Sequence, residues 1–268
     1  MSRPPMAFFE RKPPTARATH FDLATERGVV AISLRRHPRA RNYTLRVGSP
    51  AGAPVLTMPV RGSLAEARAF LDRNAGWLIN QMGRLPEARP IVDGATIPLR
   101  AVPHLIRHLS HRRGTVTPLA SSEGPVLLVA GREEHLRRRV IDYLKKEARR
   151  DLERAVARHA MMLGVRVSAI RLRDQTSRWG SCSSTGTLSF SWRLVMAPPF
   201  VLDYLAAHEV AHLHEMNHGP RFWHLVESVC PETKQARAWL NRDGLHLHAI
   251  GAESPLAAAP TEDDLATA

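Results

Sequence analysis

Residues 199–213 read PFVLDYLAAHEVAHL. Laid on a helix from about Phe200 to Met216, this stretch is apolar on almost every face, through Val201, Leu202, Leu205, Ala206, Val210, Ala211 and Leu213. Such a helix cannot lie on a surface, so the rest of the chain must enclose it. The polar groups it carries inward, His208, Glu209 and His212, must then find partners, because an unpaired buried polar group is costly. With 268 residues the chain is long enough to build that enclosure.

The three polar groups form H-E-x-x-H. Positions four apart lie one above the other on a helix, so His208 and His212 offer two imidazoles to one point. Those are two of the three protein ligands of a catalytic zinc, which keeps a fourth position open. Glu209, near the same face, can hydrogen-bond a water there and take its proton as general base. His218 can supply the third ligand only if the helix ends before it, since six residues on an unbroken helix turn it about 240° from His212. Asn217, followed by Gly219-Pro220, supplies a break. The rival is Glu215, which faces the metal on a continuous helix; His218 is preferred. His214 points away and reads as a surface or packing residue. The His208/His212/His218 spacing matches the metzincin pattern, but Glu215 stands at its glycine and no methionine follows Met216, so the chain is a zincin outside that group.

Around this helix the chain divides into four stretches. Residues 1–27, rich in proline and arginine, read as a flexible leader without the apolar core of a secretory signal. Residues 28–130 are β-rich, with strands expected at Val29–Leu34, Tyr43–Val47, Pro54–Val60, Ala95–Arg100, Val102–His108 and Val126–Ala130. One helix, Leu64 to Met82, is announced by Ser63 and Glu66 as a capping box. Residues 131–248 hold a long amphipathic helix stopped by Gly164, strands at Val167–Asp174 and Gly186–Ala197, and the H-E-x-x-H helix. Residues 249–268 read as a disordered tail. No internal sequence repeat is visible. The fold class is α+β, a β-rich part followed by a helical, zincin-like part with a short sheet bordering the active helix.

Two cysteines, Cys182 and Cys230, are too few for a disulfide scaffold, which points to a reducing, cytoplasmic compartment. No run approaches the roughly 18 apolar residues of a membrane span. The formal charge of +13 reads as solvated surface, with weak non-specific polyanion binding as the partner it allows. The oligomeric state is open.

Residues Thr176 to Pro231 carry a more specific signal. They contain R-W-G-S-C (Arg178 to Cys182), W-R-L (Trp192 to Leu194) followed by A-P-P, H-E-x-x-H, N-H, and F-W (Phe222-Trp223). Together these resemble the YgjP-like (DUF45) metallopeptidase family, related to SprT-like and other small zincins. The resemblance covers most of Val29 to Gly244. It implies a zinc hydrolase acting on a peptide or protein, with His208, His212 and His218 as ligands and Glu209 as the catalytic carboxylate. Arg178, Trp179 and Ser181, near a strand bordering the active helix, could line the substrate cleft; alternatively Trp179 is a core aromatic and Gly180 merely makes a turn. Cys182 reads as a small buried residue rather than an extra ligand. Phe222, Trp223 and Leu225 are expected to pack the following helix against the active one. Two other functions stay open: a metal-dependent phosphoanhydride (nucleotide) hydrolase, and a nucleic-acid-associated module with structural zinc.

Overall fold

The computed structural model describes residues 20–26, 28–48, 53–252 and 256–257. It is α+β. Strands β1 (His20–Thr25), β2 (Gly28–His37), β3 (Thr44–Arg46) and β4 (Val55–Pro59) lead into helix α1 (Leu64–Gly83). Their sheet has the order β1-β2-β4-β3, with β2 and β4 parallel and both outer pairs antiparallel. The chain then repeats itself. Strands β5 (Thr96–Leu99), β6 (Val102–Leu109), β7 (Val116–Ser121) and β8 (Gly124–Ala130) take the order β5-β6-β8-β7, with the same directions, and lead into helix α2 (Leu136–Leu163).

The likeness extends to single residues. In the parallel pairs Leu34 faces Leu56, and Ile106 faces Leu127. Two residues further on, Arg36 donates to the carbonyl of Val60 at 2.7 Å, while His108 Nε2 donates to that of Gly131 at 2.5 Å. Both acceptors lie two residues beyond the strand partner, Met58 or Val129, of the donor. In each unit a side-chain N–H thus closes the strand-to-helix turn, whose carbonyls would otherwise lack donors. Each unit also has its own apolar filling. Leu23, Val30, Ile32, Leu56 and Met58 meet Ala67, Leu71 and Leu78 of α1, whereas Ile97, Leu99, Ile106, Leu127 and Val129 join the core that includes Leu136, Val140 and Leu144 of α2. The repeated quantity is the inward pattern rather than residue identity, which is why it does not show in the sequence.

The remaining elements build the site. Strands β9 (Ala169–Arg173), β10 (Gly180–Cys182) and β11 (Thr187–Ser191) form a small sheet of order β10-β11-β9. Helices α3 (Pro199–Ala211), α4 (Pro220–Val229) and α5 (Thr233–Ala249) follow. A strand was expected through Ala197, but the chain leaves β11 at Ser191, whose hydroxyl accepts from the Arg193 N–H, and residues Trp192–Met196 form a 3₁₀ helix. All five are buried, so the one-face-in alternation of a half-buried strand is absent.

The predicted local signals act where expected in two places. Both bonds of the Ser63/Glu66 capping box form, and Gly164 ends α2 in the left-handed region at φ 64. The stretch read as a leader ends in a strand, β1, which pairs along β2. Within the stretch read as a tail, β12 (Leu256–Ala257) pairs with Val29 and Val30. Residues 249–252, also within that tail stretch, are described: Ala249 ends α5 (Thr233–Ala249), and the Arg89 backbone donates to the Ala249 carbonyl and accepts from the Gly251 N–H. Residues 1–19, 27, 253–255 and 258–268 lie outside the described residues.

Two arginines clamp these parts together. At the β5–β6 hairpin tip, Arg100 and Ala101 take positive φ of 53 and 63, and their N–H groups bond the carbonyls of Val195 and Met196 at 2.7 and 3.1 Å. The Arg100 guanidinium grips Asp151 with two hydrogen bonds and Glu147 with a third. Those bonds offset backbone strain of order 1–3 kcal/mol per residue. Arg193, 6% exposed, pairs with Asp174 at 2.8 Å and donates to the carbonyls of Leu247 and Ile250 at the end of α5. Replacing Arg193 with Met keeps its bulk but orphans those carbonyls. Arg193→Met is expected to lower stability by about 2–4 kcal/mol, read from the urea midpoint at unchanged m-value.

Candidate metal centre

Helix α3 carries nine buried residues, Glu209 among them. Prolines at its start are tolerated because the first N–H groups of a helix have no intrahelical acceptor. It places His208 and His212 one turn apart and ends with His212 as its C-cap. The break was expected at Asn217; it comes about a turn earlier. The His212 ring supplies the reason. Its Nδ1 donates to the carbonyl of Glu215 at 3.1 Å, holding the turn that follows, and His214 Nε2 ties that turn to the Leu163 carbonyl at 2.7 Å. The chain then doubles back and delivers His218, whose Nε2 stands 3.1 Å from that of His208.

One nitrogen from each of His208, His212 and His218 lies within 4.8 Å of the others. The 3.1 Å separation is near the edge of about 3.3 Å expected between nitrogens on a tetrahedron with metal–nitrogen bonds of about 2.0–2.1 Å. A carbonyl can only accept, so the contact to Glu215 puts the His212 proton on Nδ1 and leaves the Nε2 lone pair free. His208 Nδ1 has Tyr204 Oη at 3.4 Å. Burial, before the charges of His212, His218 and Arg237, pushes the His208 pKa down to about 3, and burial likewise lowers His212. Neutral imidazole is the ligating form. Three convergent imidazoles, two of them with the far ring nitrogen hydrogen-bonded, fit a zinc ion. Glu215 contributes its backbone carbonyl to this arrangement.

Glu209 is 3% exposed, and its Oε2 has no hydrogen-bond partner among the described residues. Burial pushes its pKa up to about 8, against the opposing charge of Arg178. The carboxyl lies hard against β10: a Cβ at Gly180 would sit 2.4 Å from Glu209 Oε1 and 2.8 Å from its Cδ and Cγ. Gly180 therefore does more than make a turn. It leaves the space that the general-base candidate fills.

The other residues singled out in R-W-G-S-C separate. Trp179 stacks on buried His248 at 4.6 Å between centroids and packs against Gly244, so it pins the loop before β10 to α5. Ser181 is half-buried on β10, opposite Ser189, and Arg178 is exposed. Burial, then the charge of Glu209, raises the Cys182 thiol pKa, the opposite of what a thiolate ligand requires. Phe222 takes a part the sequence reading missed. Fully buried, it meets all three imidazoles at centroid distances of 4.8, 4.4 and 4.7 Å for His208, His212 and His218, and walls the cluster from behind. Its spacing after His218 placed it on the next helix but did not reveal which rings it would touch. Trp223 lies 5.9 Å from the rings of His208 and His218, with the Arg237 guanidinium stacked 4.3 Å over its indole.

Among the described residues, no helix is long and apolar enough to cross a membrane. A search of curated proteins finds no match. Among solved structures, the metallopeptidase zymogen abylysin of Pyrococcus abyssi is similar at 24% identity over 34% of this chain and 95% of its own, with a TM-score of 0.31. The metallopeptidase zymogen jannalysin of Methanocaldococcus jannaschii is similar at 20% identity over 35% and 89%, with a TM-score of 0.32. Residues 41–243, well over half of the sequence, match the family described as YgjP-like, metallopeptidase domain, and the chain belongs to that family.

Proposed function

We propose that this chain is a zinc peptidase that hydrolyses amide bonds, with His208, His212 and His218 holding the metal and Glu209 as general base. The observation that carries the reading is the Glu209 carboxylate, buried one residue from a ligand with an unpartnered oxygen. A stable fold gains nothing from such a group, so its use lies in what enters the site. A zinc ion held by the three imidazoles would supply Lewis acidity toward a water and the amide carbonyl, and its charge would favour the ionised carboxylate. Glu209 accepts the water's proton and passes it to the departing amide nitrogen, a role needing one oxygen free of protein partners. Gly180 and the buried walls of α3 hold that carboxyl in place.

Substrate binding follows from β10. It is the edge strand of its sheet, so an extended peptide can pair along it, beside the carboxylate that touches Gly180. Arg178 and Ser181 are available to that peptide, whereas Trp179 is occupied by α5.

Purified protein is expected to bind about one zinc per chain by elemental analysis. His208→Ala, His212→Ala and His218→Ala should each lose it, and Glu215→Ala should keep it; the reverse result for the last pair would reassign the third ligand. Glu209→Gln should cut turnover of denatured-protein or peptide substrates at least about 100-fold, with zinc content and melting temperature close to wild type. Running the same pair on nucleoside triphosphates separates the peptidase from a phosphoanhydride hydrolase. Gly180→Ala forces the Glu209 carboxyl aside, so turnover should fall at least about tenfold while zinc stays bound. Undiminished turnover would dissociate Gly180 from the chemistry.

A further inference from the structure

The excess positive charge is unevenly placed. Residues 20–165, which make the two repeated units and their helices, hold 25 Lys and Arg against 13 Asp and Glu. Residues 166–252, which make the metal centre, hold 9 against 7. The charge is therefore not there to serve the triad.

Within the first unit, one face of α1 stands out. Arg73, Gly76, Trp77, Asn80, Gly83 and Arg84 recur at the spacing of a single helix face, and all six are exposed. Trp77 is 47% exposed, at the flank of the helix about 100° round from the stripe of buried Ala67, Leu71 and Leu78. No acidic residue occurs between Arg73 and Arg84, and neither arginine joins an ion pair among the described residues. Among the described residues, a Cβ at Gly76 or Gly83 would meet nothing within 4 Å. Each glycine costs this helix stability relative to alanine, and the packing of the chain offers no reason for either.

We propose that this face binds single-stranded nucleic acid, with a base stacked on the Trp77 indole and phosphates on Arg73 and Arg84. An indole accepts any base through its π-face, and guanidinium pairs with phosphate in two-pronged fashion. The eleven helical steps from Arg73 to Arg84 span about 16 Å of helix axis, so the two guanidiniums reach different phosphates of one strand. The bare backbone at Gly76 and Gly83 lets that strand approach closely beside the ring. A protein partner fits less well, because the stripe offers one aromatic anchor amid glycine, asparagine and arginine rather than an apolar patch. Base sequence is not read: stacking and phosphate contacts carry no base-edge pattern.

The test uses the full zinc-loaded chain and labelled oligomers, dT20, U20 and a 20-bp duplex, followed by fluorescence anisotropy from 50 to 200 mM salt. Both single strands are expected to bind more tightly than the duplex, with quenching of tryptophan emission. Trp77→Ala should weaken single-strand binding about tenfold and remove most of the quench. Arg73→Gln with Arg84→Gln should flatten the slope of log affinity on log salt by about 1.4. Gly83→Ala provides a fold-independent check: it should raise the melting temperature yet weaken binding. Zinc content and peptide turnover should be unchanged in all of these. Tryptophan emission indifferent to the oligomers, or Trp77→Ala binding like wild type, overturns the proposal. So does equal affinity for duplex and single strands, or displacement only as a generic polyanion by heparin with the salt slope unmoved by the arginine pair.

Discussion

The burial of α3 is the constraint on which the rest of the structure depends. An all-round apolar helix must be enclosed, yet the three imidazoles beside it must share one opening. The chain meets both demands by ending the helix at His212 and turning sharply. That turn is held by hydrogen bonds from His212 and His214 themselves, so two of the histidines create the geometry that brings in His218. Phe222 then packs against the cluster, touching all three rings. A continuous helix would have left His218 on the wrong side.

Precision at such a site depends on more distant supports. The W-R-L segment is one of them. Trp192 and Leu194 are buried apolar filling, while Arg193 between them reaches out to hold the end of α5. Helix α5 in turn carries His248 and Gly244, between which Trp179 is seated, and Trp179 sits next to Gly180. A continuous chain of contacts therefore runs from Arg193 through α5 and Trp179 to the strand against the Glu209 carboxyl. Arg100 presses the same Trp192–Met196 segment from the other side. Burying Arg193 costs desolvation, but it satisfies several acceptors at once, as the half-buried Arg100 does, which is the condition under which a buried cation is tolerated.

How much of this could be read from residues alone follows a physical divide. Periodicity and caps act locally, so α1 with its Ser63/Glu66 box, α2 with its Gly164 stop and the pairing of His208 with His212 were legible. The role of Gly180 was not, because nothing in a one-residue pattern states that a carboxylate 29 positions away will occupy the space of a missing Cβ. Trp192–Met196 was misread for a related reason: burial on all sides erases the alternation that separates strand from helix. The end of α3 depended on bonds from ring nitrogens to carbonyls, one three residues on and one on α2, and no capping rule anticipates those. Phe222 was placed on its helix correctly, but its three ring partners are a property of the turn before it.

The twofold recurrence of the strand-and-helix unit bears on how the metal-binding part is supported. Both copies solve the same local problem, closing the turn after their last strand with a side-chain donor from the neighbouring parallel strand. Only the second extends its helix far enough to serve as a wall for α3: α2 runs 28 residues against 20 for α1. The extra turns supply Val156 and His159, and His159 bonds Asp203 of α3 at 2.9 Å while fully buried. One copy has thus become scaffold for the metal centre, and its apolar surface is committed to that task. The other keeps a shorter helix whose outer face makes no contact among the described residues. In a molecule whose histidine-cluster segment is nearly neutral, that freedom leaves the first unit as the part whose surface can be shaped by a partner rather than by the site.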